Sequence, residues 1–471
     1  MESWGAWSNP VREPNGADDV EQRSVERVLT AEDYRESIRD GRASYLEGRR
    51  IEDPGTHPLL RVSVDWVAST YEQTSSADPG ARNPIFDQPA TPAELDEQMS
   101  FLIEADVTAA STAGCMALGN VAPRLAEAEP AYRDRLEQFL RRCREDDLRV
   151  AAAVEDGGEL RVVRRTKDGI VLKGAKRHVL GAAVVHELCV VPSGAVPEGE
   201  GDRAIACAVP ANTPGLKIIS ITTAPRAEDP RHFPISRERS IPDCTVLFDE
   251  VFVPWDRVFL DGEVAYSADL AEALGTWERA RAAATLADEA ELIFGLAQTI
   301  AEMNGVPDAT HIRDKLSKMA VWASMCRAGW TAALVHAATT ETGMVVPADA
   351  HVYATMAYGR SLFNEMVAYL HDVSGGLLLT CPTVADYENP DTHSYMEKYL
   401  RTMEGVSGEA RMKIFHVIRD LTADHYGGWA KITNQMVGGG LHAQRMATLR
   451  TFPSEAAKAR ARSVARITEQ G

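Results

Sequence analysis

The chain has 471 residues, 45% hydrophobic and 25% charged, with a formal net charge of −19. Such a length and mix describe a globular protein of two or three domains. With no basic surplus to neutralise phosphates, nucleic acid and anionic membrane surfaces are excluded as partners; no apolar run reaches the ~18 residues of a membrane span.

Residues 1–28 are rich in Gly, Pro, Asn and charge, read as a disordered leader, and do not resemble a signal peptide. Thr30 is a fitting N-cap, with Asp33 at the third helical position, for a helix over Ala31–Gly41. Gly48 suits a turn between two short strands, and the His57–Pro58 step leads into a helix over Leu59–Tyr71. Residues 74–91 read as loop, followed by helices over Pro92–Ala110 and Ala122–Arg144, the second broken at Pro130.

From Leu148 the period changes. Val150–Val154, Leu160–Arg164, Ile170–Leu172, Leu188–Val191, Ile205–Val209 and Leu216–Ile221 are short apolar runs. Turn signals at Asp156-Gly-Gly158, Lys167-Asp-Gly169 and Gly174 separate the first of them, the pattern of an antiparallel barrel or sandwich. The most strand-like run, from Cys244, is expected to end at Val253, because Pro254 has no N–H to donate. Beyond Leu270 the spacing predicts long helices at 270–303, 308–340 and 348–373. A loop at Ser374–His393 and helices at about 394–404 and 407–425 complete a bundle. The chain thus divides into the leader, an N-terminal helical domain (29–147), a middle β domain (148–265) and a C-terminal bundle (266–471), an α+β protein. Its seven cysteines lie singly between positions 115 and 381, with no close Cys/His cluster. That scatter speaks against a metal site or disulfide framework and for reduced thiols in a cytoplasm.

Several stretches resemble one family. Thr30–Ile51 with Thr56-His-Pro58, Asp168-Gly-Ile-Val-Leu-Lys-Gly-Ala-Lys176 and Phe248-Asp-Glu-Val-Phe-Val-Pro-Trp-Asp-Arg-Val-Phe259 are similar to motifs of the 4-hydroxyphenylacetate 3-hydroxylase and 4-hydroxybutyryl-CoA dehydratase superfamily. So are His311-Ile-Arg-Asp-Lys-Leu316, Asp420-Leu-Thr-Ala-Asp-His-Tyr-Gly-Gly-Trp429 and Gly438-Gly-Gly-Leu-His-Ala-Gln-Arg445, the last closer to the dehydratase branch. The resemblance spans roughly residues 28–471. It implies an acyl-CoA-dehydrogenase-like architecture, a homo-oligomer (tetramer or dimer) and FAD between the β domain and the bundle. Hydroxylase members use reduced FAD from a separate flavin reductase; dehydratase members add a [4Fe–4S] cluster.

The same resemblance assigns candidate residues. The cluster ligands would come from a Cys-x3-Cys pair, a His and a further Cys. Here Ser111 and Cys115 occupy the paired positions, and His311 is followed by Lys318 where a thiolate belongs. An iron–sulfur cluster is therefore not expected, and Ser111 and Cys115 become candidates for substrate contact. The hydroxylase set is incomplete as well. Residues 105–120 hold neither Arg nor Tyr, Val150–Val154 has no His, and Leu180 stands where a flavin-contacting Thr is usual. Counting by two along a strand, Leu180 shares its face with His178, a candidate acid or base alongside His311. Gly438, Gly439 and Gly440, with His442 and Gln444, and the Gly375–Gly376 pair resemble loops that approach the flavin. Two readings follow for a small-molecule substrate: a reduced-FAD-dependent monooxygenase, or a repurposed scaffold performing isomerisation, dehydration or cyclisation with the flavin lost or idle. A non-catalytic homologue is disfavoured by the retained glycine loops.

Overall fold

The computed structural model describes residues 28–75, 83–154, 159–226, 229–436 and 439–467. Most of the expected leader, the Asp156-Gly-Gly158 turn and Gly438 lie outside the described residues. Helix α1 (Ala31–Ser37) begins with the expected capping box, Thr30 and Asp33 each accepting from the other's backbone N–H. It stops four residues before Gly41 because the next segment is held elsewhere. Arg42, buried and paired with Asp40, donates to the Ala183 and Val185 carbonyls at 3.2 and 2.7 Å. Strands β1 (Ser44–Leu46) and β2 (Arg49–Ile51) turn through Glu47 and Gly48, both at positive φ.

Helix α2 (Leu60–Thr74) follows. The single helix expected over Pro92–Ala110 is two, α3 (Pro92–Glu104) and α4 (Val107–Met116). The break is chemical: buried Asp106 accepts from the N–H groups of Thr108 and Ala109 at 2.8 and 3.0 Å, an N-cap that starts a new helix. Helix α5 (Ala122–Leu125) and α6 (Pro130–Glu145) divide at Pro130, which opens the second.

The middle of the chain forms β3 (Val150–Ala153), β4 (Arg161–Arg165), β5 (Gly169–Leu180), β6 (Glu187–Val190), β7 (Ile205–Pro210), β8 (Leu216–Ile221), the short helix α7 (Ser236–Arg239), β9 (Asp243–Pro254) and β10 (Val258–Asp261). Two sheets result among the described residues, ordered β2-β1-β8-β9-β5-β4 and β10-β7-β6-β3. The pairing is not wholly antiparallel: β1 runs parallel to β8, and β3 to β6. Nor does Gly174 end a strand. It is an irregularity within β5, at φ 134° and so close to the Glu159 carbonyl that a Cβ would stand 2.3 Å away. Leu172, Val246, Phe248 and Val251 fill the space between the sheets.

The bundle comprises α8 (Ser267–Met303), α9 (Thr310–Val335), the hairpin β11 (Ala338–Thr339) and β12 (Val345–Val346), α10 (Asp349–Ser374), α11 (Leu377–Thr380), α12 (Val384–Glu388), α13 (His393–Leu400), α14 (Gly408–Thr422), α15 (His425–Met436), α16 (Gly440–Thr451) and α17 (Ser454–Val464). Helix α9 ends before residue 340 because the hairpin takes over, with the Val345 N–H on the Pro89 carbonyl at 2.7 Å. Helices α8, α9 and α10 close on each other at Gly359, whose added Cβ would lie 2.6 Å from Leu286 and 2.8 Å from Cys326; Trp322 Nε1 donates to the Gly359 carbonyl. No helix of the described residues is long and apolar enough to cross a membrane.

Candidate active site

Helix α4 joins all three parts of the molecule. Strand β3 lies at the edge of its sheet, and α4 satisfies its outward N–H groups: Thr112 Oγ1 accepts from Val150 N and Ser111 Oγ from Ala152 N, both at 2.8 Å. The opposite side of α4 is made of small residues and lets α8 approach. A Cβ on Gly114 would sit 3.2 Å from Trp277 Cδ1. Beneath the helix start, Asp106 Oδ2 stands 3.6 Å from Arg149 Nη2, both side chains at 0% exposure. The Arg149 guanidinium lies over the Tyr71 ring at 4.1 Å, and Tyr34 stacks behind it at 4.9 Å.

His186 locks this assembly to the β domain. Its Nδ1 accepts from Arg149 N at 2.9 Å, so Nε2 carries the proton and donates to Ser37 Oγ at 2.7 Å. Burial first, then the cations of Arg42 and Arg149, push the imidazole pKa down to about 3. The unfolded chain binds this proton at higher pH than the native one does. The stability contributed by neutral His186 is therefore present above about pH 6.5 and lost as pH falls toward 3. The denaturation midpoint should drop across that window, and His186→Gln should flatten the drop by on the order of 2 kcal/mol; an unchanged slope in urea titrations would remove His186 from the account.

Above α4, helix α8 turns a polar stripe toward α15. Arg281, Thr285 and Glu289 recur every four residues and stay partly accessible, whereas Ala282, Ala283, Ala284, Leu286 and Ala290 around them are buried. Among the described residues, Trp277 Nε1, Arg281 Nε and Thr285 Oγ1 have no hydrogen-bond partner. Burial lowers the Arg281 pKa, against the fields of Glu278, Tyr426 and Asp106. Burial raises Tyr426 to about 12, with Glu289 the leading charge acting on it. Glu289 itself is pushed up to about 7 by burial, against the opposing cation of Arg360, which burial lowers to about 10. Leu180, Val107, Trp66 and Trp429 form an apolar border against the β-domain core.

The structure does not gather the sequence candidates into one place. His178 sits at φ 56° on a bulge between Lys176 and Val179, its side chain 76% exposed and 3.5 Å from Asp243. The bulge breaks the count by two. Lys176 turns inward, its Nζ donating to the Val154 and Val191 carbonyls, and Val179 turns inward as well, so Leu180 cannot be placed by counting from His178. His311 stands exposed in the first turn of α9. Ser111 is engaged by β3, and Cys115 is wholly buried, its thiol against that of Cys189 and its pKa raised. Gly375 ends α10 at φ 74°, exposed with Gly376; Gly439 and Gly440, at φ 84° and 76°, open α16. That turn sends Gln444 inward and leaves His442 exposed. Sequence reasoning passed over Arg149, Arg281, Glu289, Arg360 and Tyr426. The signal for two of them was legible: Arg281 and Glu289 interrupt an alanine-rich run at helical spacing.

Helical N-terminal part, β module and bundle meet at α4, the arrangement of an α+β enzyme of three parts. The chain belongs to the 4-hydroxyphenylacetate 3-hydroxylase family, whose N-terminal model matches residues 30–260 and whose C-terminal model matches residues 267–466. It is 26% identical to a (3S)-3-amino-3-(3-chloro-4-hydroxyphenyl)propanoyl-[peptidyl-carrier protein SgcC2] monooxygenase of Streptomyces globisporus, over 88% of this chain and 86% of that one. It is 24% identical to a 4-hydroxybutyryl-CoA dehydratase/vinylacetyl-CoA-Delta-isomerase of Clostridium aminobutyricum, covering 93% and 100%. The crystal structure of the oxygenase component of 4-hydroxyphenylacetate 3-monooxygenase superposes with a TM-score of 0.85 at 23% identity, over 93% of this chain and 98% of that one, a likeness in fold.

Proposed function

We propose that the protein is the oxygenase component of a two-component monooxygenase that uses reduced FAD to hydroxylate a phenol, either free or carried on a larger group. The observation that supports it most is the α8 wall, where Trp277 Nε1, Arg281 Nε and Thr285 Oγ1 present hydrogen-bonding atoms that no described residue uses. Those groups fit the polar edge of a flavin. When bound, reduced FAD supplies the electrons for oxygen activation. The chain's own part is to exclude water along the Leu180, Val107, Trp66 and Trp429 border and to fix the ring with α8. A flavin reductase would supply the reduced cofactor. Buried, unpaired cysteines favour a cytoplasmic setting. Exposed Leu449, Phe452, Val464 and Ile467 on the last helices favour self-association into a dimer or tetramer.

A non-redox isomerase or dehydratase is the second reading, favoured by Leu180 in place of a hydroxyl side chain. The test is anaerobic titration of the purified protein with reduced FAD, followed by air and a panel of phenols. Saturable uptake and oxygen-dependent hydroxylation are expected. No uptake of oxidised or reduced FAD would overturn the monooxygenase and leave the second reading.

A further inference from the structure

We propose that His232 is an acid-released clasp between the β module and the bundle. The turn Pro230–His232 lies in the connection from β8 to β9 and crosses to the bundle at α12 and α14. There His232 Nε2 accepts from Val384 N at 2.9 Å. Val384 is the first residue of α12, so its N–H has no acceptor within the helix, and an imidazole 152 positions earlier supplies one. The His232 ring also stacks on that of His416 from α14, with centroids 5.0 Å apart and planes 25° from parallel. His416 is buried, and its Nδ1 accepts from Arg419 Nη2 at 2.9 Å. Arg231, next in the chain, bridges Asp229 in its own turn and Glu388 on α12.

Each imidazole therefore spends one ring nitrogen as an acceptor and keeps its proton on the other. A proton on His232 Nε2 would set two N–H groups against each other. It would also place a cation against a ring that already faces Arg419. The charged and titratable groups about the pair come from three elements: Asp229 and Arg231 in the turn, Asp386 and Glu388 on α12, and Arg419 and Asp420 on α14. Asp386 closes the Thr383 capping box, and Asp420 accepts from Ile235 N, Ser236 N and Ser236 Oγ. Among the described residues no carboxylate bonds either imidazole. Burial first, then the charges of Arg419 and His232, lowers the His416 pKa to about 4. Closed, the pair has no place for a further proton at the two accepting nitrogens; open, an imidazole in water takes one at about pH 6.5. The clasp is thus fully held above about pH 6.5 and is lost as pH falls toward 4. The bonds on Asp420 involve no histidine, so the released turn pivots about Ile235–Ser236.

Hydrogen–deuterium exchange read by mass spectrometry tests this on the full chain without ligand. Protection is compared at about pH 7.5 and about pH 5.5 after dividing out the intrinsic exchange rate. In wild type the segment holding Val384 should lose about tenfold in protection for one imidazole released, while Ile235–Ser236 keeps its own. His232→Gln sets an amide oxygen near the place of Nε2 and cannot take up a proton, so protection should hold at both pH values. An unchanged wild-type segment, or an equal fall in the two proteins, would overturn the proposal. So would an equal loss at Ile235–Ser236, which means general loosening and not a released clasp. Should His232→Gln fail to fold, the wild-type comparison of the two segments still decides. Neither flavin uptake nor turnover enters the test, so its outcome is separate from that of the monooxygenase reading.

Discussion

Arg149→Met should lower the unfolding free energy by about 3–5 kcal/mol, the largest loss expected from any single side chain at the junction. The reason lies in what the change leaves behind. Asp106 is wholly buried, and two of its contacts, to Thr108 N and Ala109 N, are made through Oδ1; among the described residues Oδ2 has only the Arg149 ion pair at 3.6 Å. Without the guanidinium that oxygen is left in a dry site with no opposing charge, and the face of Tyr71 loses the cation lying on it. Neutralising both members should be far milder. Asp106→Asn with Arg149→Met should recover more than half the loss, because an amide still caps α4 while carrying no charge. Urea denaturation of wild type, both single variants and the double variant closes the cycle. A double variant as unstable as the sum of the singles would mean that the two groups do not act as a pair.

Gly181→Ala is the second large effect, about 2–4 kcal/mol. Gly181 follows Leu180 directly and has φ 77°, a conformation that costs an L residue roughly 1 kcal/mol. The added Cβ would also stand 2.4 Å from Thr108 Cγ2. Thr108 cannot swing aside freely, since its hydroxyl is bonded to Asp106, so the first turn of α4 must move. Displacing α4 disturbs the hold of Ser111 and Thr112 on β3, and ligand affinity should fall together with stability. Gly41→Ala provides the comparison: its φ is 76° but no atom lies within 4 Å of the added Cβ, so only the backbone term of roughly 1 kcal/mol applies. Equal losses in the two variants would show that the clash at Thr108 relaxes without cost.

Where local chemistry decides, the sequence was a sufficient guide. The Thr30 capping box, the Pro130 break and the three long bundle helices follow from side chains within a few positions of each other. Where the deciding partner is distant, it was not. Asp106 looks like one more helical residue until Arg149, forty-three positions on, is seen beneath it. Gly174 fits a turn or a bulge equally well, and only the approach of Glu159 settles which. Counting by two is unsafe near His178 for a related reason, because a bulge between Lys176 and Val179 adds a residue. The α8 stripe carries a periodic signal, but what packs against it cannot be read from spacing.

The β1–β2 hairpin has a bearing on how the molecule is made. Its strands leave the ribosome before residue 52, yet β1 pairs with β8 at residues 218–220, and α1 packs its Tyr34 and Ile38 into the core of the β module. The amino-terminal segment must therefore wait through the synthesis of well over a hundred residues before its partner strand emerges, at some 5–20 residues per second. During that delay a short hairpin and two helices hold apolar surface with nothing to cover it. Nascent chains stalled before and after residue 254 should differ sharply in protease resistance of the amino-terminal segment, and assembly in the cell should depend on whatever shelters that segment in the interval.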